Sequence, residues 1–534
     1  MKKFIAMLLT IVFIIALFGC STKPNEEVIN QIEDTEEEIR ILRIDEQNLG
    51  YPSVYTVSPR GRGYLLMSFI FDTLTWKDED GVVSMLAKDW RVSDDYKVWT
   101  FNLVDNAKFT DGKALTAEDV AFSFEYMMRH PHQWVNLNMI EEVRVISDYT
   151  VEIELKEIYA PFITDVAGNV PIMPKHIWET IDDPQKFNTD KAVIGSGPFK
   201  LSHYDKDVGN YIFVANEDYF LGKPVIDQLI MRENNQSALA LKNGELDAAQ
   251  RISYGEAMGL KEEGDFQVIE GPGLWVFRMY FNFDIPEFND SQVRQAIYYA
   301  INRRELVEKA TRNSGIVGNP GHIHPDSEWY YDEVKNYNYD IQKAKELLAQ
   351  SGMVKDNTPL QYEMLVTDDR VDEAEMIKKY LSDIGIEINV KAMDQRSVDT
   401  LIAEGKFQLA LNGHGSFGGD PVLLARFVSR DANIGSTPQI TSQGGKTWSN
   451  IEFDQLFQQQ LREVDQNTRY KTVAKLQEII AEELPTLTLY YRKITFAYDP
   501  EKLNGWFYTK DGVAIAVPTT QNKLVYINGT WGTK

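Results

Sequence analysis

The chain has 534 residues, enough for several domains or one large composite core. Hydrophobic residues make up 43% and charged residues 25%, as in ordinary soluble globular proteins. A formal net charge of −25 argues against a nucleic-acid binder, which needs a basic face. It suits a protein that does not stick to polyanionic surfaces.

In chain order, Lys2 and Lys3 precede the apolar run Phe4–Phe18, followed by Gly19 and Cys20. A charged start, an apolar stretch and a small residue describe a secretory leader. Leu17-Phe18-Gly19-Cys20 also resembles the bacterial lipobox. That resemblance implies cleavage before Cys20 and its lipidation. A cleaved signal peptide or an uncleaved anchor is the other reading. Cys20 is the sole cysteine, so no disulfide is expected. Residues 21–38 are polar and acidic and are expected to form a flexible tether.

Ile39–Ile44 reads as a first strand. Arg60 and Arg62 stand among glycines in the loop that follows, where they either hold a carboxylate or lie on the surface. Tyr64–Trp76 is apolar enough to predict a buried helix. Asp78–Gly81 predicts a tight turn, and Trp99, Phe101 and Leu103 alternate as a strand. Thr116-Ala-Glu-Asp119 has the form of a capping box. It opens a helix whose core face is Val120, Phe124, Met127 and Met128. Val143, Val145, Val151, Ile153 and Leu155 predict a hairpin turning at Ser147-Asp148.

Later segments carry clearer periodicity. Val293, Ala296, Ile297, Ala300 and Ile301 follow helical spacing, as do Ile341, Ala344, Leu347 and Leu348, stopped by Ser351-Gly352. Ala374, Ile377, Leu381 and Ile384 predict a helix. Ile386, Ile388 and Val390 predict a strand, and Val398, Leu401 and Ile402 a second helix. Phe407, Leu409 and Leu411 predict a second strand. Such alternation implies a parallel sheet, with ligands bound beyond the carboxyl ends of its strands. At such an end lies the loop Gly413–Gly419, containing His414, Gly415, Ser416 and Phe417 and closed by Asp420-Pro421. The loop is either a tight surface turn or a binding loop with open backbone groups and one fixed negative charge.

Leu86-Ala-Lys-Asp-Trp90, Phe109-Thr-Asp-Gly-Lys-Ala-Leu-Thr-Ala-Glu-Asp119 and Gly195-Ser-Gly-Pro-Phe-Lys-Leu201 resemble the family 5 extracellular solute-binding proteins. These serve bacterial ABC importers of peptides and nickel. Asn243-Gly-Glu-Leu-Asp247 and Val293-Arg-Gln-Ala-Ile297 continue the likeness in the family's order. It implies an α/β clamshell of the periplasmic-binding-protein type II class, with two lobes plus a small inserted domain. Lobe I would comprise residues 39–76, 191–282 and 491–534, the insert 77–190 and lobe II 283–490, after a leader at 1–20 and a tether at 21–38. Ligand would sit between the lobes and favour closure.

The resemblance implies that Asp420 receives a peptide's α-ammonium, with the backbone of Gly415, Ser416 and Phe417 pairing with the ligand as an added strand. Asp420→Ala is then expected to lose affinity with little loss of stability. Trp275, Trp448 and Trp506 either line the cleft or belong to the core. Metal is the second possibility: His322, His324 and His414 are the candidate ligands, with His130 and His132 similarly spaced. No Gly-x-Ser-x-Gly elbow occurs, and Gly445-Lys446-Thr447 lacks the first glycine of a phosphate loop, so no enzyme is expected. The expectation is a monomeric receptor without cofactor or nucleic-acid partner, on the outer face of the cell membrane through lipidated Cys20. It would deliver a short peptide to ABC permease subunits. A nickel chelate and then an oligosaccharide are the alternatives.

Overall fold

The computed structural model describes residues 39–58, 61–132, 134–353, 358–414, 419–427, 448–513, 517–519 and 521–532. Its first seven strands are β1 (Ile41–Asp45), β2 (Thr75–Lys77), β3 (Val82–Ser84), β4 (Ala87–Val92), β5 (Val98–Leu103), β6 (Ile140–Ser147) and β7 (Thr150–Leu155). Next come β8 (Phe199–Asp205), β9 (Asn210–Ala215), β10 (Gln228–Arg232), β11 (Ala248–Ala249), β12 (Gln267–Phe281) and β13 (Gly315–Val317). The last are β14 (Leu360–Thr367), β15 (Ile386–Met393), β16 (Leu409–His414), β17 (Thr486–Tyr498), β18 (Leu503–Asn504), β19 (Thr509–Val513), β20 (Val517–Thr519) and β21 (Thr530–Trp531).

An 11-stranded sheet runs β15-β14-β16-β12-β17-β11-β1-β10-β9-β8, with β13 beside β17. β14 is parallel to β15 and β16, and β1 is parallel to β10 and β11. The long antiparallel pair β12–β17 joins the two halves. Its register shifts between Pro272 and Val276, and only beyond that shift does β16 join β12. A separate four-stranded sheet runs β4-β5-β7-β6.

The predicted periodicities explain these elements. The helix Val371–Ser382 buries Ala374, Ile377 and Leu381, one face of a 3.6-residue repeat. The helix Ser291–Ala300 buries Val293, Ala296, Ile297 and Ala300. The Thr116–Asp119 capping box opens the helix Ala117–Arg129. Val120, Phe124 and Met127 are buried there, but Met128, in the last turn, is 39% exposed, contrary to expectation.

Residues 64–76 do not form one helix. The helix Gly61–Ser68 stops, and β2 begins at Thr75. The carbonyls of Phe69 and Ile70 accept instead from the N–H groups of Phe199 and Gly197. A Cβ on Gly197 would strike that backbone. Asp72 turns inward to accept from Ser196, Tyr219 and Lys523, whose ammonium lies 2.5 Å away in a fully buried pair. Competing tertiary hydrogen bonds thus end the helix.

Two large cores result. One joins Leu42 and Ile44 of β1 with Phe101, Val151 and Ile153 of the smaller sheet and with Tyr526. The other gathers Met279, Ile297, Ile377, Leu409 and Leu487. The arrangement is an α/β two-lobe clamshell with a small inserted domain.

Candidate functional site

β16 carries the chain toward the predicted loop, with Gly413 opposite Phe277 and His414 opposite Val276. Gly415, Ser416 and Phe417 lie outside the described residues. So do the side chain of His414, the whole of Arg60, and Gly445-Lys446-Thr447. Gly419 has φ +78°, a left-handed conformation that glycine adopts without strain. Asp420 accepts from the Val422 N–H at 3.0 Å and opens a 3₁₀ turn over Pro421–Phe427.

Asp420 is already paired. Its two carboxylate oxygens accept from the two terminal nitrogens of Arg469, one at 2.6 Å. Arg469 also donates to the Gln460 side chain at 2.8 and 2.9 Å and lies over the Trp329 ring. Both partners are buried. Removing one member of such a pair strands a charge in the interior. The expected small stability cost of Asp420→Ala is therefore corrected to a large one.

Other charged groups gather around this pair. Tyr159 donates to Asp165 at 2.5 Å. Burial raises Asp165 to about 6, with Asp420 adding to the rise; the Tyr159 bond, Arg469 and Lys77 oppose it. Burial lowers Lys77, at the end of β2, against the pull of Asp511, Asp420, Glu328 and Asp165. Burial also raises Asp511 of β19, opposed by Lys77 and by the Gly419 N–H, which bonds its carboxylate. Lys77 and Asp165 nonetheless keep partial solvent contact. Lys77, Asp165, Asp420 and Asp511, distant in sequence, form one acidic end.

A basic end lies where β16 meets β12 and β17. A cavity of about 190 Å³ is lined there by Trp275, Phe277, Arg370, Gly413, Tyr490 and Arg492, among others. Arg370 pairs with Glu373 at 2.9 Å and Asp369 at 3.3 Å, over the Phe277 ring. Trp275 is 37% exposed. A Cβ on Gly413 would collide with its indole nitrogen, so glycine is what lets the ring lie there. Arg492 is exposed, yet burial is the largest influence lowering its guanidinium, followed by Arg370.

The other expected residues sit elsewhere. Arg62 is drawn into a bidentate pair with Glu46, both contacts at 2.8 Å, and does not stand as an open clamp. Trp448 is 6% exposed and packs on Phe453, and Trp506 packs on Phe496 and Tyr526; both belong to cores. His322 contacts Thr488, while His324 accepts from the Asp326 N–H beside Tyr491. Burial lowers His324 to about 4. Among the described residues no three His, Cys, Asp or Glu side chains are grouped to hold a metal. A further cleft of about 930 Å³, lined by Tyr51, Tyr55, Tyr204 and Lys206 among others, includes His132 but none of the residues expected to hold a peptide. Sequence reasoning missed Lys77, Asp165, Arg370, Arg469, Arg492 and Asp511. In a chain with 80 acidic and 55 basic residues, no single charge announces itself.

Among the described residues no helix is long and apolar enough to cross a membrane. The dipeptide-binding protein of Escherichia coli is 26% identical over 440 residues, covering 76% of this chain and 80% of the relative. The nickel-binding periplasmic protein of the same organism is 28% identical over 375 residues, covering 64% and 69%. The oligopeptide-binding protein AppA from Bacillus subtilis, solved with a nonapeptide, superposes with a TM-score of 0.72 at 22% identity, covering 93% of this chain and all of that one. Residues 81–436 match the family model of the bacterial extracellular solute-binding proteins, family 5 Middle. With that match across most of the folded body, the chain belongs to the family 5 bacterial extracellular solute-binding proteins.

Proposed function

We propose that this protein captures short peptides between its lobes and delivers them to the permease subunits of an ABC importer. The observation that carries the reading is the acidic end. Among the described residues Asp165 receives a neutral hydroxyl and no direct cation, while Asp420 is already held by Arg469. A peptide's α-ammonium is the counter-charge such an enclosure favours. The relatives named for dipeptides support this reading. The remaining loop backbone at Gly415–Phe417 is taken as the strand-like partner of the ligand.

The same reading makes the protein a binder and not an enzyme, monomeric, and held outside the cell by lipid on Cys20. The lobes are taken as 39–76, 191–282 and 491–534 against 283–490, with the insert at 77–190. Native mass spectrometry of the protein as purified tests the ligand class directly. Retained peptides of a few residues support the reading; a retained metal chelate overturns it. A nickel chelate is the second reading. Its support is the nickel-binding relative and an arginine-lined cavity with an exposed tryptophan. Dipeptides failing and nickel–histidine binding in calorimetry would favour it.

A further inference from the structure

We infer that the cleft of about 930 Å³ beside the first core is a second ligand site, and that it takes a short neutral saccharide. The inference goes beyond the peptide reading and does not depend on it. The cleft is built from pieces of chain that are remote in sequence. Tyr51 and Tyr55 come from the segment between β1 and the helix Gly61–Ser68, and Tyr204 and Lys206 from the end of β8. His132 follows the helix Ala117–Arg129, and Gln185 and Asn188 lie in and just after the short turn Pro184–Lys186. Leu49, Tyr55 and Val57 of the lining belong to the first core, with Tyr51 and Tyr204 packed against it, and no lining residue belongs to the second. The cleft is therefore complete within one lobe, and its occupancy does not wait on the other.

The lining selects the chemistry of the guest. The chain has 80 acidic residues, yet among the described residues no carboxylate lines this cleft. Burial, and after it Asp190 outside the lining, raises the Tyr51 phenol to about 12. Burial lowers His132 to about 4, against a bond to the Val54 backbone, so the imidazole is neutral near neutral pH. Lys206 is left as the one charge of the described lining, and it is exposed. A zwitterionic peptide is poorly matched here, because its ammonium meets no carboxylate and its carboxylate meets only a solvated ammonium. A polyhydroxylated guest is well matched. Tyr51 and Tyr204 are half-buried, and tyrosine rings offer apolar faces with polar tips, which suit the C–H faces of a pyranose. The amides of Gln185 and Asn188 are exposed, and each can both donate to and accept from sugar hydroxyls. The rings are held in place before any guest arrives. Tyr204 stacks on Tyr211 at 4.9 Å with 17° between the planes, and its hydroxyl donates to Asn48 at 2.9 Å. Tyr51 meets Tyr204 edge to face at 5.9 Å. Tyr55 donates to the His130 carbonyl at 2.8 Å and meets His132 edge to face at 5.3 Å. Such preorganisation lowers the cost of binding. Small-molecule pockets span about 300–1,000 Å³, and this cleft lies near the top of that range, so a guest of more than one sugar ring fits.

The test uses the full chain with the disaccharides cellobiose, maltose and N,N′-diacetylchitobiose. Saturation-transfer NMR reports contact and calorimetry the affinity. At least one disaccharide is expected to bind with a Kd of about 1 mM or tighter, equally with and without a saturating mixture of dipeptides and tripeptides. The double variant Gln185→Ala with Asn188→Ala removes two exposed side chains. It is expected to keep the native melting temperature and to bind the disaccharide about 10-fold more weakly. Tyr204→Ala is expected to abolish the binding, and the exposed pair keeps the test decisive where that variant fails to fold. Binding of a disaccharide while every peptide fails would leave this inference standing and overturn only the peptide reading. No binding of any of the disaccharides would overturn the inference. So would an affinity unchanged in the double variant, or displacement of the disaccharide by the peptide mixture, which would seat it between the lobes instead.

Discussion

The two ends of the cleft hold charge in opposite ways. At the acidic end Asp420 is saturated by Arg469, and among the described residues Asp165 is bonded only by a phenol. At the basic end Arg370 is saturated by Glu373, and Arg492 has no ion pair among the described residues. Each end therefore pairs a closed ion pair with one charge left without an ion-pair partner among the described residues, and on the peptide reading proposed above the latter is the charge that meets the guest. The residue most visible in sequence is a wall residue at one end, and the open charges were hidden.

The comparison breaks first at its walls. Asp420→Ala is expected to cost about 3–5 kcal/mol of stability by stranding Arg469. Urea unfolding measures it, and Asp420→Ala with Arg469→Met should recover much of the loss. Recovery of stability without recovery of binding would leave Asp420 a direct share in the ligand. Trp448→Ala is expected to lose a similar amount, about 3–5 kcal/mol, by opening a void in the second core. Trp275→Ala should leave the melting temperature nearly unchanged and weaken only binding.

Asp165 sharpens the contrast through pH. Its pKa is about 6 in the folded protein, above its ordinary value of 3.8. The folded state therefore holds this proton more tightly than the unfolded chain. Unliganded stability from this group should rise as pH falls from above 6 toward 4, by about 3 kcal/mol at most. Peptide affinity should fall over the same interval, because the ammonium needs the ionised form. Asp165→Asn should abolish both slopes. The smallest effect is expected at the surface. Glu157 and Arg462 make an exposed pair at 3.0 Å, so Arg462→Ala should change stability by under about 1 kcal/mol.

Much of the fold was legible because burial imposes a period. The stretch from Val371 to Leu411 was read as helix, strand, helix, strand, and it folds so, since one face of each element meets the core. Residues 64–76 misled because apolar content without a period does not say whether carbonyls bond along the chain or across it. Only the fold brings Gly197 and Phe199 to Ile70 and Phe69. The site was legible by half. A glycine-rich loop ending in Asp420-Pro421 stands out locally. Its partner Arg469 is 49 residues away, and Asp165 and Asp511 approach it only in the folded chain. Whether a charge is open or neutralised is a property of contacts, and contacts between remote residues leave no local pattern.

Asp511 reaches the loop from near the carboxyl end, on a segment held in place by Lys523 against Asp72. Synthesis runs from the amino end, so Lys77, Asp165 and Asp420 are all made before the residue that completes their enclosure. A nascent chain that stops short of Asp511 has both lobes in outline but lacks the last of these four charges. Such a receptor switches on in a single late step, and a small truncation at its tail should silence it as fully as the loss of a lobe.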